Sequence, residues 1–209
     1  MLNKRNQCVQ NGFFIKKFEI SSFVDYDWKD RIEKHRCIHH FGSNFPQIHY
    51  QINELDNNLI QRIPHIKKID FKCQTYGVKK SVFDEFCLAV DYLRKSSLVH
   101  GDILMKNIVY NGREFVLLDF EPSLKIKNTS NKEVLKVTYP WIHVDDLKLG
   151  NISSKTDLLC LNALELYIFD KFEYYNLREN QMKKLQMQNL VSQTNINSLP
   201  IIPNINLDY

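Results

Sequence analysis

Short apolar stretches beside turn signals predict the strands of this chain. FFIKKFEI follows the pair formed by Asn11 and Gly12, and NNLIQRI is a further stretch of strand character. An Asn-Gly pair between apolar stretches is typical of a tight hairpin, because a type I′ turn needs positive φ at both central residues. A second pair, Asn111 and Gly112, separates NIVY from EFVLLDF and predicts a second hairpin.

Apolar residues at helical spacing predict the helices. The clearest helix spans Ser81–Lys95, begins with a capping box from Ser81 to Asp84, and carries an apolar stripe of Val82, Phe83, Phe86, Val90 and Leu93. A helix over Trp28–Phe41 is predicted to face inward with Trp28, Ile32 and either Cys37 or Ile38. Two more helices are predicted, one beginning near Ser154 and a polar one over Tyr174–Val191.

The order of these elements is strand, helix, strand, helix, hairpin, helix and helix. Such an order predicts an α+β fold in which a small mixed lobe precedes a mainly helical lobe. We expect the small lobe at 1–66, the helical lobe at 67–194 and an extended, Asn-rich tail at 195–209.

Composition narrows the class of protein without naming a function. The chain has 209 residues, 44% of them hydrophobic and 25% charged, which is ordinary for a soluble globular protein. Its net charge of +4 is spread along the chain and suits an anionic ligand without indicating nucleic acid. No apolar run reaches the ~18 residues of a membrane span, and the N-terminus lacks an apolar signal core.

The five cysteines form no CxxC pair, and their number is odd. Free thiols buried in apolar runs, as at Cys87 and Cys160, fit this pattern better than a disulfide framework. We therefore expect a cytoplasmic location, or delivery into a host cytosol if the protein is a secreted effector.

Candidate chemistry gathers around the second hairpin. Asp102 precedes its first strand, Asn107 lies at the start of that strand, and Asp119 ends the second strand. An antiparallel hairpin brings those ends together, so that two carboxylates and an amide oxygen converge. Oxygen donors of this kind suit Mg²⁺ held together with substrate phosphates. A carboxylate left uncoordinated can accept a proton from a hydroxyl nucleophile.

The segments HGDILMKN and LLDF resemble the catalytic loop and metal-binding segment of the protein-kinase-like superfamily, H-x-D-x-x-x-x-N followed by D-F-G. Upstream, FFIKKF resembles the strand that bears the ATP-binding lysine, and the helix ending in DYLRKSSLVHGD resembles the one before the catalytic loop. Downstream, YPWIHVDDL resembles the end of an activation segment, and SSKTDLLCLNALEL resembles the helix that follows it. The resemblance is strongest over 88–169.

The resemblance implies a role for each polar residue of the second hairpin. Asp102 would orient or deprotonate the attacking hydroxyl, and Lys106 would neutralise charge on the transferred phosphate. Asn107 and Asp119 would hold the Mg²⁺ ions that bridge the phosphates of ATP. ATP and Mg²⁺ are thus the implied cofactors.

The same resemblance implies supporting roles elsewhere in the chain. Lys16, or Lys17 if the register is shifted by one residue, would contact the ATP phosphates, and Glu33 would pair with that lysine. His100 would tie the catalytic loop to the metal-binding segment. Asp157 would brace the backbone of that loop.

Four departures from the family pattern qualify these roles. Gly101 stands where regulated protein kinases carry Arg, which implies constitutive activity, and Leu104 stands where Ser/Thr kinases carry Lys. Glu121 replaces the glycine of D-F-G. The fifteen residues before Lys16 contain a single glycine, so the usual Gly-rich loop is missing from this sequence.

The expected function is ATP-dependent phosphate transfer to Ser, Thr or Tyr hydroxyls of a protein. Two alternatives stay open. The His100-Gly101-Asp102 triplet is also common in saccharide and other small-molecule kinases, and the missing Gly-rich loop fits a pseudokinase that serves as a binding scaffold. Expected partners are ATP and a protein acceptor or regulatory protein, and not nucleic acid.

Overall fold

The computed structural model describes residues 7–23, 27–127, 133–135, 142–143, 145–146 and 152–169. Its first part is an antiparallel sheet with strand order β1-β2-β4-β3. The strands are β1 (Gln7–Gln10), β2 (Phe13–Glu19), β3 (His49–Asn53) and β4 (Asn58–Pro64). Helix α1 (Trp28–Cys37) continues as a 3-10 turn over Ile38–Phe41 and contacts β3.

In the described residues, the second part contains helices α2 (Tyr76–Lys95) and α3 (Ser154–Ile168) and two pairs of short antiparallel strands. Helix α2 packs against helix α3. Strand β5 (Ile108–Tyr110) pairs with β6 (Phe115–Leu117), and β7 (Lys125–Lys127) pairs with β8 (Glu133–Leu135). The α+β architecture predicted from the sequence is confirmed, whereas the lobe boundaries stay a prediction. The predicted helix over Tyr174–Val191 and the tail lie outside the described residues.

Both predicted hairpins form, but their turns differ. Asn11 and Gly12 have φ of 51° and 76°, the positive values that a type I′ turn requires. The second hairpin does not have the two-residue turn that its Asn-Gly pair predicts. Instead the Asn111 side-chain oxygen accepts the backbone N–H groups of Arg113 and Glu114 at 2.9 and 3.0 Å, and the loop is longer. An Asn side chain can replace a backbone turn in this way.

Helix α2 begins earlier than its apolar stripe predicted. Thr75 is the N-cap, and its Oγ1 accepts the N–H of Val78 at 3.4 Å. The predicted capping box at Ser81 is therefore wrong, although the apolar stripe that follows it is buried as expected. The first turn, from Tyr76, is exposed and carries no periodic apolar signal.

Helix α1 buries Ile32, and the 3-10 turn that follows it buries Ile38. Cys37 is exposed, so Ile38 is the residue of the two that faces inward. Strand β4 is confirmed, with Leu59 buried on its inner face. Strand β3 was not predicted, because Tyr50 is its single buried residue and the strand shows no clear apolar alternation.

The larger hydrophobic core of the described residues runs from the sheet through α1 to α2 and α3. Phe120 lies near its centre, with its ring 5.3 Å from that of His35, 6.3 Å from that of Phe45 and 4.8 Å from that of His100, measured between centroids. Truncating a buried Phe to Ala typically costs about 3–5 kcal/mol. This packing therefore anchors the segment that carries Asp119.

Cys87 and Cys160 are buried in this interior, as their apolar neighbours predicted, and the other cysteines are exposed. In the stretches of chain that the structure describes, no helix combines the length and apolar character needed to cross a membrane.

Candidate active site

Asp157 holds the backbone of the loop before Asp102. It lies in the first turn of α3, where its carboxylate oxygens accept the N–H of His100 at 2.8 Å and that of Gly101 at 2.7 Å. Burial raises the pKa of Asp157 to about 7, although the two N–H groups favour the ionised form. The structure thus places Asp157 against the loop backbone, where the resemblance expected it.

Replacing Asp157 by Asn should lower the free energy of unfolding by about 1–3 kcal/mol. The amide NH₂ of Asn would face one of the two backbone N–H groups, leaving a buried donor without an acceptor. Denaturant unfolding measures the loss. Asp145→Asn is the matched control, since Asp145 is a partly exposed acid paired with Lys155, and it should change stability by less than about 0.5 kcal/mol. Equal losses in the two variants would contradict the bracing role.

His100 connects this loop to the second hairpin. Its ring Nε2 donates to the carbonyl of Leu118 at 2.8 Å, and its Nδ1 accepts the N–H of Asp102 at 3.2 Å. One ring nitrogen donates and the other accepts, so the ring is neutral. Burial accordingly lowers the pKa of His100 to about 4. Because Leu118 directly precedes Asp119, His100 joins the segment that carries Asp102 to the segment that carries Asp119.

The neutral His100 predicts a loss of stability in acid. Its pKa of about 4 in the folded chain is below its ordinary value of 6.5. Between these two pH values the unfolded chain therefore binds a proton at His100 that the folded chain does not bind. Stability due to this group is complete above about pH 6.5 and falls as the pH drops towards 4. Between pH 7 and pH 5 the loss is about 2 kcal/mol.

Unfolding measured at pH 7 and pH 5 tests this dependence. In His100→Gln the loss between the two pH values should be smaller than in the wild type by about 2 kcal/mol, since the other titrating groups are common to both proteins. His65→Gln, which changes an exposed histidine, should keep the wild-type dependence. An unchanged dependence in His100→Gln would show that the ring does not stay neutral in the folded chain.

Asp102 is held by one of its carboxylate oxygens. Oδ2 accepts the Asn107 amide at 2.9 Å and the Lys106 ammonium at 2.7 Å. Oδ1 is buried, and within the described part of the chain it has no hydrogen-bond partner. Buried oxygens are usually paired, and the exceptions are common at catalytic sites. The arrangement fixes the carboxylate and leaves Oδ1 able to accept a proton.

Asn107 lies between the loop and the second hairpin. Its amide nitrogen also donates to the Asp102 carbonyl at 2.8 Å, so its amide oxygen is the atom left to bind a cation. Its backbone carbonyl accepts the N–H of Leu118 at 2.8 Å, directly before Asp119. The hairpin thus brings Asn107 beside the segment that carries Asp119, as its antiparallel pairing predicted.

Lys16 reaches the site from strand β2. It is 3% exposed, and its ammonium forms ion pairs with the carboxylate of Asp119 and, at 3.7 Å, with that of Glu121. Lys17 is exposed on the other face of the strand. Of the two predicted lysines, the structure therefore brings Lys16 to the site and not Lys17.

Asp119 has a φ of 65°, which is uncommon for a residue other than glycine and marks local strain.

The predicted pairing of Glu33 with the strand lysine is wrong. The Glu33 side chain is 67% exposed and forms an ion pair with Arg36 at 2.5 Å. Helix α1 turns Ile32 and His35 inward, and a residue directly after Ile32 then faces solvent. Lys16 finds its carboxylates on the segment after β6 instead.

Arg31 takes part in the site and was missed by sequence reasoning. Its guanidinium Nη2 donates to the carbonyl of Val99 at 3.0 Å and to that of Glu121 at 3.4 Å. These bonds join α1 both to the loop before His100 and to the segment after Asp119. The signal that could have identified Arg31 is its position one helical turn before the buried His35. It was missed because Arg31 lies within a run of charges that resembles a solvated face.

A buried polar network supports Phe120 and was also missed. Gln61 donates to the Tyr50 hydroxyl at 2.7 Å and to the Phe120 carbonyl at 2.6 Å. The Tyr50 hydroxyl shares a hydrogen bond of 2.8 Å with the His35 ring. Burial lowers the pKa of His35 and raises that of Tyr50. Tyr50 and Gln61 are opposite one another in the β3–β4 ladder, so predicting β3 would have placed them together.

The donors at this site suit a shared magnesium ion. Across the described ranges, no three His, Cys, Asp or Glu side chains converge on a point that could hold a metal. What the hairpin offers is the Asp119 carboxylate and the Asn107 amide oxygen. Mg²⁺ is commonly bound by one or two protein oxygens together with substrate phosphates, so the residues fit Mg²⁺ in that form.

Comparisons with known proteins concern the family and the fold of the chain. A family model described as protein tyrosine and serine/threonine kinase matches residues 50–200, a range that includes Asp102, Asn107 and Asp119 but not Lys16. Among 413 solved chains that match is the Cydia pomonella granulovirus kinase PK-1. The two chains are 14% identical with a TM-score of 0.55, over 93% of this chain and 88% of that one. No curated protein matches the chain. The predicted bilobal protein-kinase-like fold is confirmed.

Proposed function

The chain belongs to the protein tyrosine and serine/threonine kinase family, and from this premise we propose an ATP- and Mg²⁺-dependent transfer of phosphate to protein Ser, Thr or Tyr hydroxyls. The carboxylate of Asp102 carries the proposal. One of its oxygens is held by Asn107 and Lys106, and the other is buried with no hydrogen-bond partner in the described residues. A carboxylate arranged in this way suits a general base for a hydroxyl nucleophile.

Each residue of the site has a defined part in this reaction. Asn107, through its amide oxygen, and Asp119, through its carboxylate, would hold Mg²⁺, and Lys16 would contact the phosphates of ATP. When bound, Mg²⁺ would supply positive charge that neutralises the phosphates. Lys106 lies beside Asp102 and adds positive charge near the acceptor.

Proton transfer follows from the way Asp102 is fixed. As the acceptor oxygen forms its bond to the γ-phosphorus of ATP and the bond from that phosphorus to ADP breaks, the hydroxyl proton passes to Asp102 Oδ1. The bonds at Oδ2 keep the carboxylate from rotating. Asp157 holds the backbone before Asp102, and the His100 ring accepts the N–H of Asp102 itself, so the carboxylate is positioned before the acceptor arrives. The uncharged His100 ring keeps its bond to Leu118 throughout.

Incubation with γ-labelled ATP, Mg²⁺ and mixed protein acceptors tests the proposal. We expect label on protein, less label when Mg²⁺ is chelated, and a higher melting temperature with ATP–Mg²⁺; a ligand at 100 times its Kd stabilises by about 2.7 kcal/mol. No label and no melting shift at millimolar nucleotide would contradict the proposal. A melting shift without transfer would favour the pseudokinase, and label on saccharides alone would favour a small-molecule kinase.

A further inference from the structure

Lys16 and Glu121 are a buried pair of opposite charges. Glu121 is 8% exposed and Lys16 is 3% exposed, and their charged groups lie 3.7 Å apart. Lys and Glu are seldom this buried unless they are paired. The pair joins strand β2 to the segment that follows the β5–β6 hairpin. That segment therefore supplies a counter-charge to the lysine of the site.

Helix α1 contributes a positive charge at this place instead of a carboxylate. In protein kinases the strand lysine ordinarily pairs with a glutamate of the corresponding helix. Here Glu33 of α1 faces solvent, while Arg31 of the same helix donates to the backbone carbonyl of Glu121 at 3.4 Å. In this chain the carboxylate comes from the loop and not from the helix, and the helix binds that loop through the Arg31 guanidinium.

Asp119 also pairs with Lys16, but the proposed function assigns it to Mg²⁺ as well, and one carboxylate cannot bind both cations equally strongly. A carboxylate that binds Mg²⁺ shares its charge with the metal, so it attracts a neighbouring ammonium less strongly. A buried ammonium that loses its counter-charge is strongly destabilised. Glu121 also lies within ion-pair distance of Lys16, so it can still supply a counter-charge to the lysine when Asp119 holds the metal.

We infer that Glu121 is the positioning residue for Lys16 and holds its ammonium for the nucleotide phosphates in place of a helix glutamate. The use of the lysine for phosphates rests on the proposed function, whereas the pairing itself does not. The neighbouring Phe120 is packed in the core, so the core sets the position of Glu121. The orientation of Lys16 is then independent of any movement that brings a carboxylate of α1 into place.

A double-mutant cycle without nucleotide tests the pair. Glu121→Gln, Lys16→Met and the double variant are compared with the wild type by denaturant unfolding. The stability that Glu121→Gln removes in the wild type should largely disappear in the Lys16→Met background. Glu33→Gln is the matched control and should have the same small effect in both backgrounds. Equal losses from Glu121→Gln in the two backgrounds would overturn the inference, whether or not the protein transfers phosphate.

Nucleotide affinity distinguishes positioning from a structural role. Glu121→Gln should weaken binding of ATP–Mg²⁺ by about tenfold or more, and should leave binding of adenosine, which lacks phosphates, within about twofold. Glu121→Asp should recover part of the ATP affinity, and Glu33→Gln should bind both ligands as the wild type does. Wild-type ATP affinity in Glu121→Gln, or an equal loss for adenosine, would overturn the inference. A wild type that binds neither ligand would instead overturn the proposed function, and the unfolding cycle would still decide the pair.

Discussion

Replacing Asp102 by Asn is expected to lower kcat for phosphate transfer by about 10²–10⁴-fold while affinity for ATP–Mg²⁺ stays close to that of the wild type. An amide oxygen can accept the hydrogen bond from Asn107, but it cannot take a proton from the attacking hydroxyl. Asp102 is not among the residues assigned to Mg²⁺, so nucleotide binding should persist. Steady-state transfer of labelled phosphate gives kcat, and the melting shift with ATP–Mg²⁺ reports binding.

A matched control for this variant lies on helix α2. Asp84 pairs with Lys80 at 2.5 Å and with the same spacing of four residues that separates Asp102 from Lys106. Asp84→Asn therefore removes a similar ion pair on an exposed surface, and it should transfer phosphate as fast as the wild type. If Asp102→Asn kept more than about a tenth of the wild-type kcat, a base contribution of the size given above would be contradicted.

The hairpin half of the site could be predicted because its geometry is local. Antiparallel pairing of β5 with β6 is set by sequence-adjacent strands, and it brings Asn107 to Leu118 through a single backbone bond of 2.8 Å. Asp102 and Asp119 flank those positions. The spacing HGDILMKN then places the amide of Asn107 on the carboxylate of Asp102, five residues earlier. No contact between distant elements is needed to bring these groups together.

The contribution of helix α1 to the site depends on which face of the helix is buried, and the sequence does not reveal this. Lys29, Asp30, Arg31, Glu33 and Lys34 surround the single apolar Ile32, so the charged positions look alike. In the folded chain, packing against Phe120 selects His35 as the second buried residue. Arg31 is thereby turned towards the site and Glu33 towards solvent. A tertiary contact thus decides which charge lies beside the loop.

Side chains that compete with the backbone account for the local errors. Asn111 accepts two backbone N–H groups and lengthens a turn that the Asn-Gly pair alone would close in two residues. Thr75 caps α2 ahead of Ser81. This start was not predicted, because the exposed first turn of the helix gives no apolar signal. Neither error displaces Asp102, since both lie outside the loop that carries it.

Asp119→Asn should lower kcat by about 10²–10³-fold and raise the Mg²⁺ concentration needed for half-maximal transfer. The amide lacks the negative charge that a hard divalent cation prefers, and the Asn107 oxygen cannot replace it. Asn tolerates positive φ about as well as Asp does, so the φ of 65° at this position should be kept and the fold with it. The ion pair between Lys16 and Glu121 also stays in place in this variant, which separates loss of the metal ligand from loss of the lysine.

Titrating Mg²⁺ at fixed ATP, with both transfer and the melting shift as readouts, measures the effect of Asp119→Asn. The variant should still melt as a folded protein, and a high Mg²⁺ concentration should restore part of its melting shift, because the remaining oxygen donors bind the ion weakly. Asp30→Asn changes an acid on α1 whose side chain is 62% exposed and should titrate as the wild type does. A wild-type Mg²⁺ dependence in Asp119→Asn would assign the metal to other oxygens, with the buried carboxylate of Glu121 as the nearest candidate along the chain.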